Sequence, residues 1–210
     1  DWDVGADEFN VLLDLPSLRL IDVSLDGPHE VNNTCVVFAP RAGHHSNIAE
    51  RVALYLRSQG LTRMTIVEQK CGDEIPLYVD GERHCEDFSG QIAQYTQVLA
   101  HLKSLTGFAP HLIAVCQPGP LLLSTLILNP HLGRSFGSAG SPMHTEGEPG
   151  FLTDFARQMG DGYVDTLLSV FGRTTPSGEV GQGRRCLNGA AQVLGFYYLG
   201  MDQHLQNLLG

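Results

Sequence analysis

Cys116 stands where the sequence pattern changes abruptly. The run His111-Leu112-Ile113-Ala114-Val115 is short, apolar and bounded, as a buried strand would be. From Gln117 to Leu128 the pattern is helical, ending at Asn129-Pro130. A nucleophile pinned between a strand and a helix is the arrangement of the G-x-S-x-G elbow, whose turn is tight enough to demand small flanking residues. Here Ala114 and Pro118 take the two glycine places and cysteine takes the serine place. The free N–H groups and dipole of a helix start favour a thiolate there, and the N–H of Gln117 can meet a developing oxyanion. Pro118 and Pro120 are tolerated in a first helical turn, whose N–H groups lack intrahelical acceptors. Position 117 is not proline, so that donor is kept. The chemistry implied is attack of the Cys116 thiolate on a carbonyl carbon. The competing role is core packing, since cysteine is among the most buried residue types. Cys35, Cys71, Cys85 and Cys186 lack the elbow and read as structural.

A second loop has the right neighbours. Ala39-Pro40-Arg41-Ala42-Gly43-His44-His45 follows the apolar run Thr34–Ala39. A loop after such a strand can supply the second oxyanion N–H, and a Pro-x-x-Gly-His loop fits that duty through its backbone. His44 and His45 are auxiliary candidates as a base for Cys116, because both loops should open at the same sheet edge. Solvated loop histidines are the plainer alternative. Glu68 ends the next strand and reads as a salt-bridging carboxylate.

These residues need a frame. Strands are expected at Leu18–Val23 (an edge), Thr34–Ala39, Met64–Glu68, His111–Val115 and Arg134–Ala139, with helices after Ser46, over Phe88–Leu105 and after Cys116. Ser46 or Asn47 caps the first helix, whose apolar face is Ile48, Val52, Leu54, Tyr55 and Leu56. Gln69–Asp87 is polar with turn signals. Strand and helix alternate, so the expected fold class is α/β: a doubly wound parallel sheet with right-handed crossovers. Beyond residue 150 helices are expected at Phe151–Met159, Tyr163–Phe171 and Leu187–Leu209, with the glycine-rich loop Arg173–Gly183 between the last two. The division expected is a core over residues 1–145 and a helical cap region over 146–210.

Composition bounds the function. The 210 residues are 42% hydrophobic and 17% charged, with a formal net charge of −10. An acidic chain with no basic cluster suits neither nucleic acid nor an anionic membrane surface. The longest apolar run, Leu121–Leu128, is interrupted by Ser124 and Thr125 and is far below the ~20 residues of a membrane span. Five widely spaced cysteines without CxxC argue against a disulfide framework and against a structural zinc site, so reduced thiols in a cytoplasmic protein are expected. Neither metal nor cofactor is called for.

The chain resembles the intracellular polyhydroxyalkanoate (polyhydroxybutyrate) depolymerases. The resemblance rests on CVVFAPRAGHHSNIAERVALYL, on Ile75-Pro76-Leu77, on HLIAVCQPGPLLL and on LNGAAQVLGFYYLGMDQHL, and covers roughly residues 31 to 210. It implies an α/β-hydrolase fold in which cysteine replaces the lipase serine. It implies Cys116 as nucleophile, Gln117 with the Arg41–Ala42 backbone as oxyanion donors, and hydrolysis of a polyester polymer or oligomer, at a granule surface, through an acyl-enzyme. A homo-oligomer is one arrangement to expect.

The acid and histidine of such a site follow later strands. After Cys116 only one further core strand is expected, and Asp161, Asp165, Asp202, His131, His144 and His204 fall in helices or irregular segments. No residue is assigned to those two roles. The chain begins at Asp1 and stops at Gly210, straight after a helical pattern, so a segment of a longer protein is expected, with acid and base beyond Gly210 or missing. Two other functions stay open: a flavodoxin-like cysteine-elbow domain of the class I glutamine-amidotransferase type, and a granule-binding protein without turnover.

Overall fold

The computed structural model describes residues 10–27, 30–41, 46–144, 147, 151–160 and 162–187. β1 (Asn10–Asp14) and β2 (Leu18–Asp22) form an antiparallel hairpin. β3 (Cys35–Phe38), α1 (Asn47–Ser58) and β4 (Met64–Gln69) come next. A short hairpin, β5 (Tyr78–Val79) and β6 (Glu82–Arg83), then turns at Asp80-Gly81. Both turn residues have positive φ, 53° and 84°, as a two-residue hairpin loop of this hand requires. α2 (Phe88–Thr106), β7 (His111–Val115), α3 (Pro118–Leu128) and β8 (Ser135–Ala139) complete the core elements. α4 (Phe151–Met159) and α5 (Tyr163–Phe171) follow, then a hairpin of β9 (Gly172–Thr174) and β10 (Arg185–Leu187).

Six strands make one sheet in the order β1-β2-β4-β3-β7-β8. β3, β4, β7 and β8 are mutually parallel, and β2 is antiparallel to both of its neighbours. The architecture is therefore α/β with a mostly parallel sheet. Both faces are covered, which is why the central strands are mostly apolar on both sides. All four β3 residues are buried. Alternate side chains go to opposite faces. Val36 and Phe38 join Leu112, Ala114 and Val67 in a cluster with Tyr95, Val98, Leu99 and Leu102 of α2 and Leu121 and Leu122 of α3. Cys35 and Val37 join Met64 and Ile66 in a second cluster with Ala49 and Ala53 of α1.

Four expectations change. Leu18–Asp22 is the second strand, and β1 takes the edge outside it. The inner face of α1 is Ala49, Glu50 and Ala53, while Ile48 and Tyr55 are exposed. Val52 and Leu56 of the expected face do pack against the same cluster as Ala49 and Ala53. The polar stretch after β4 contains the β5–β6 hairpin. The segment after α5 is a hairpin at its two ends, not only a loop. The expected helix after Leu187 lies outside the described residues.

The strand order places the site. From β3 the chain passes to β4 on one side and later to β7 on the other. That reversal is the topological switch point, at the carboxyl ends of β3 and β7, the usual place for a ligand in an open α/β sheet.

Candidate active site

Cys116 lies at this switch point, one residue beyond the end of β7, and is exposed. Its φ is +65°. A non-glycine residue in the left-handed region is uncommon, and such strain persists only where surrounding structure enforces it. Here the enforcement is visible. The Cys116 N–H donates to the Ala139 carbonyl at the end of β8 (2.8 Å), and the Cys116 carbonyl accepts from the Gly119 N–H (3.1 Å). The strand direction is thus held on one side and the helix start on the other. Gln117 is the N-cap of α3, with φ −52° and ψ −35°, and is exposed. Its N–H, at a helix start, has no intrahelical acceptor.

The tight contact of the elbow is at Gly119, a position the sequence did not single out. A Cβ there would lie 2.4 Å from both Cβ and Oγ of Ser141, in the segment after β8. Only a hydrogen fits between the first turn of α3 and that segment. Pro118 is buried, and Ala114 is fully buried in the α2-side cluster.

Register brings the second loop alongside. Phe38 pairs with Ala114 in parallel register, so the loop after β3 and the turn after β7 leave neighbouring strands at the same edge of the sheet. The Arg41 backbone leaves the sheet at this level. Ala42, His44 and His45 lie outside the described residues.

The Arg41 side chain is engaged. Its Nη2 donates to Glu86 Oε2 (3.0 Å) and to Gln69 Oε1 (3.3 Å). Glu86 Oε2 also accepts from Gln91 Nε2 (2.9 Å), and Glu86 Oε1 lies 2.5 Å from His84 Nε2. Burial pushes the Glu86 carboxyl up, but hydrogen bonds from His84 and Arg41 and the Arg41 charge outweigh it and hold it below the usual carboxylate range. Gln69 Nε2 donates to the Tyr95 hydroxyl (2.9 Å), which burial pushes well above its ordinary value. Sequence reading missed this cluster because Arg41 and Gln69 lie far along the chain from Glu86. Glu68 pairs with Arg19 (3.7 Å), the structural role expected of it.

The other thiols differ in setting. Cys35 is buried, and burial pushes it up to about 11. Cys71 is also pushed up to about 11, by burial first and then by the charges of Glu74, Asp73 and Glu68, with Arg19 opposing. Cys186 is half-buried in β10, and Cys85 is exposed. Among the described residues no group of three or more His, Cys, Asp or Glu side chains could hold a metal ion. No helix there is long and apolar enough to cross a membrane.

The strand order, the antiparallel second strand and the strained strand–helix turn define an α/β-hydrolase-like fold. No family model and no curated protein matches the chain. Among solved structures the chain is similar to 2-hydroxy-6-oxo-6-phenylhexa-2,4-dienoate hydrolase (BphD) from Rhodococcus sp. strain RHA1. That match has 11% identity and a TM-score of 0.39, covering 60% of this chain and 42% of the other. It is also similar to Cfl2 from Burkholderia cenocepacia, at 15% identity and a TM-score of 0.41, covering 77% of this chain and 53% of the other. The chain spans about half the length of these two structures. Likeness at this level transfers no residue role and no substrate.

Proposed function

We propose that this chain carries the nucleophile of a hydrolase that cleaves ester bonds, with an intracellular polyester of the polyhydroxyalkanoate type as substrate. The observation that carries the reading is the exposed Cys116 held at φ +65° on a strand–helix turn. The polyester rests on the sequence resemblance alone.

In the proposed reaction Cys116 Sγ attacks the ester carbonyl. The tetrahedral oxyanion accepts hydrogen bonds from the N–H of Gln117 and from the Arg41–Ala42 backbone. Collapse breaks the C–O bond, and the alcohol leaves with a proton, giving a thioester on Cys116. Water then adds to the thioester, releases the hydroxyacid and restores the thiol. The groups that move the protons are not assigned to residues of this chain.

The amidotransferase-type alternative predicts a flavodoxin-like strand order, 2-1-3-4-5, with every strand parallel. The order found, with its antiparallel β2, speaks against it.

The test compares release of 3-hydroxybutyrate from soluble oligomers and amorphous polymer granules by the wild type and by Cys116→Ala. Loss of turnover with granule binding retained supports the proposal. Equal turnover in both rejects it. Granule binding without turnover in either protein favours the binding role.

A further inference from the structure

The side chains of the Arg41–Glu86 cluster lie where the loop after β3 leaves the sheet, and none of them is assigned a part in the attack chemistry. Its location and connections say what it can do. The Glu86 side chain is only 13% exposed. One carboxylate draws in three donors from separate segments: Arg41 after β3, His84 after β6 and Gln91 on α2. The Ser17 hydroxyl, from the β1–β2 turn, is a fourth partner. Arg41 also holds Gln69 at the end of β4, and Gln69 reaches the buried Tyr95 of α2. Arg41 is therefore anchored by its side chain to Glu86 and Gln69, while its backbone follows β3 at the sheet edge where the neighbouring β7 delivers Cys116. A buried ion pair adds little net stability over apolar packing. Holding a backbone at fixed distance from a reacting atom is a task that apolar packing performs less well, since oxyanion donors must be aimed within fractions of an ångström.

We propose that Glu86 is a positioning residue: acting through the Arg41 guanidinium, its carboxylate fixes the Pro40–Arg41 backbone at the distance from Cys116 that oxyanion stabilisation needs. This rests on the hydrolytic role of Cys116. Glu86 touches no reacting atom. It acts on the transition state only through Arg41, so its loss acts on kcat and leaves substrate affinity and the thiol untouched.

The experiment uses Glu86→Gln, Arg41→Ala (which keeps its N–H) and the double variant, with p-nitrophenyl butyrate as the soluble ester. Four readouts are taken: kcat and KM, the rate of Cys116 alkylation by iodoacetamide, the rate of trypsin cleavage after Arg41, and thermal unfolding. Glu86→Gln is expected to lower kcat by about ten- to a hundredfold, with KM and alkylation within about twofold of wild type. Trypsin should cut after Arg41 several times faster, because the guanidinium is no longer sequestered. The double variant should lose no more kcat than Arg41→Ala. A folded Glu86→Gln protein with unchanged kcat overturns the proposal, as do losses that add in the double variant. Should Glu86→Gln fail to fold, Arg41→Ala tests the pair from its other end, and unchanged kcat there overturns it equally. If the wild type hydrolyses no ester, the hydrolytic reading has failed separately. Trypsin then decides the clamp alone, and unchanged cleavage after Arg41 rejects it.

Discussion

Cysteine at φ +65° is held against its preference, and that preference can be measured. A left-handed conformation costs an ordinary L-residue about 1–2 kcal/mol, more for a β-branched one, and costs glycine almost nothing. Cys116→Val should therefore destabilise by about 1–2 kcal/mol, while Cys116→Gly stays within about 1 kcal/mol of wild type, because relieved strain offsets the added freedom of the unfolded chain. Urea unfolding of the two variants checks this. Equal destabilisation would mean that the turn is not strained. Reactivity should also sort by environment. With thiol values near 11, Cys35 and Cys71 are ionised to about one part in a thousand at pH 8, so iodoacetamide should reach them far more slowly than the exposed Cys116 and Cys85. Peptide mapping over time gives the order. At this scale the elbow was legible, because a strand, a nucleophile and a helix start are contiguous in sequence. The Glu86 cluster was not. Arg41 and Glu86 are 45 residues apart, and no local pattern distinguishes a carboxylate that will be buried from one that will be solvated.

The element that decides the elbow is α3, and its first turn is set by a close approach. Gly119→Ala brings two opposed effects. Alanine favours a helix over glycine by about 1 kcal/mol, and less than that in a first turn. The new Cβ would sit 2.4 Å from the Ser141 Cβ, an atom attached directly to backbone, and overpacking of this kind costs about 1–3 kcal/mol. The overlap wins. Gly119→Ala is expected to be less stable than wild type and to lose ester turnover as the turn shifts, with thermal unfolding and kcat as the measurements. An increase in stability would show that Ser141 moves freely. Helix positions were readable from apolar periodicity, and α2 buries Tyr95, Val98, Leu99 and Leu102 as that periodicity implies. Periodicity read α1 only in part: Val52 and Leu56 pack against the core, Ile48 and Tyr55 do not. Counting large apolar residues points to Ile48 and Tyr55, but distance to the sheet selects Ala49 and Ala53, and distance is not written in a helix's own sequence. The β5–β6 and β9–β10 hairpins escaped notice because two- and three-residue strands carry no detectable alternation.

For the whole molecule, the central strands were legible as short, mostly apolar runs with β-branched residues among them, as a sheet covered on both faces asks for. The strand order was not, and neither was the reversal of β2. Both depend on pairings between distant segments, such as Leu18 with Gln69 and Cys35 with His111. Acid should act on the molecule through Glu86, which joins several of those segments. Its carboxyl is held below the unfolded value of about 4.5, so the stabilisation it contributes is complete above that pH and fades as pH falls through the lower folded value. Wild type should exceed Glu86→Gln in urea midpoint at pH 7, and the gap should shrink as pH falls below the unfolded value. A gap that persists in acid would place the stabilisation elsewhere.

The account as a whole depends on covalent chemistry at one sulfur. The direct test is mass spectrometry of the acid-quenched protein within one turnover of an activated 3-hydroxybutyrate ester. The expected result is a single acyl group on the peptide containing Cys116, gone after a chase in water and never formed in Cys116→Ala. Acyl transfer to another residue, or turnover that survives Cys116→Ala, would contradict it.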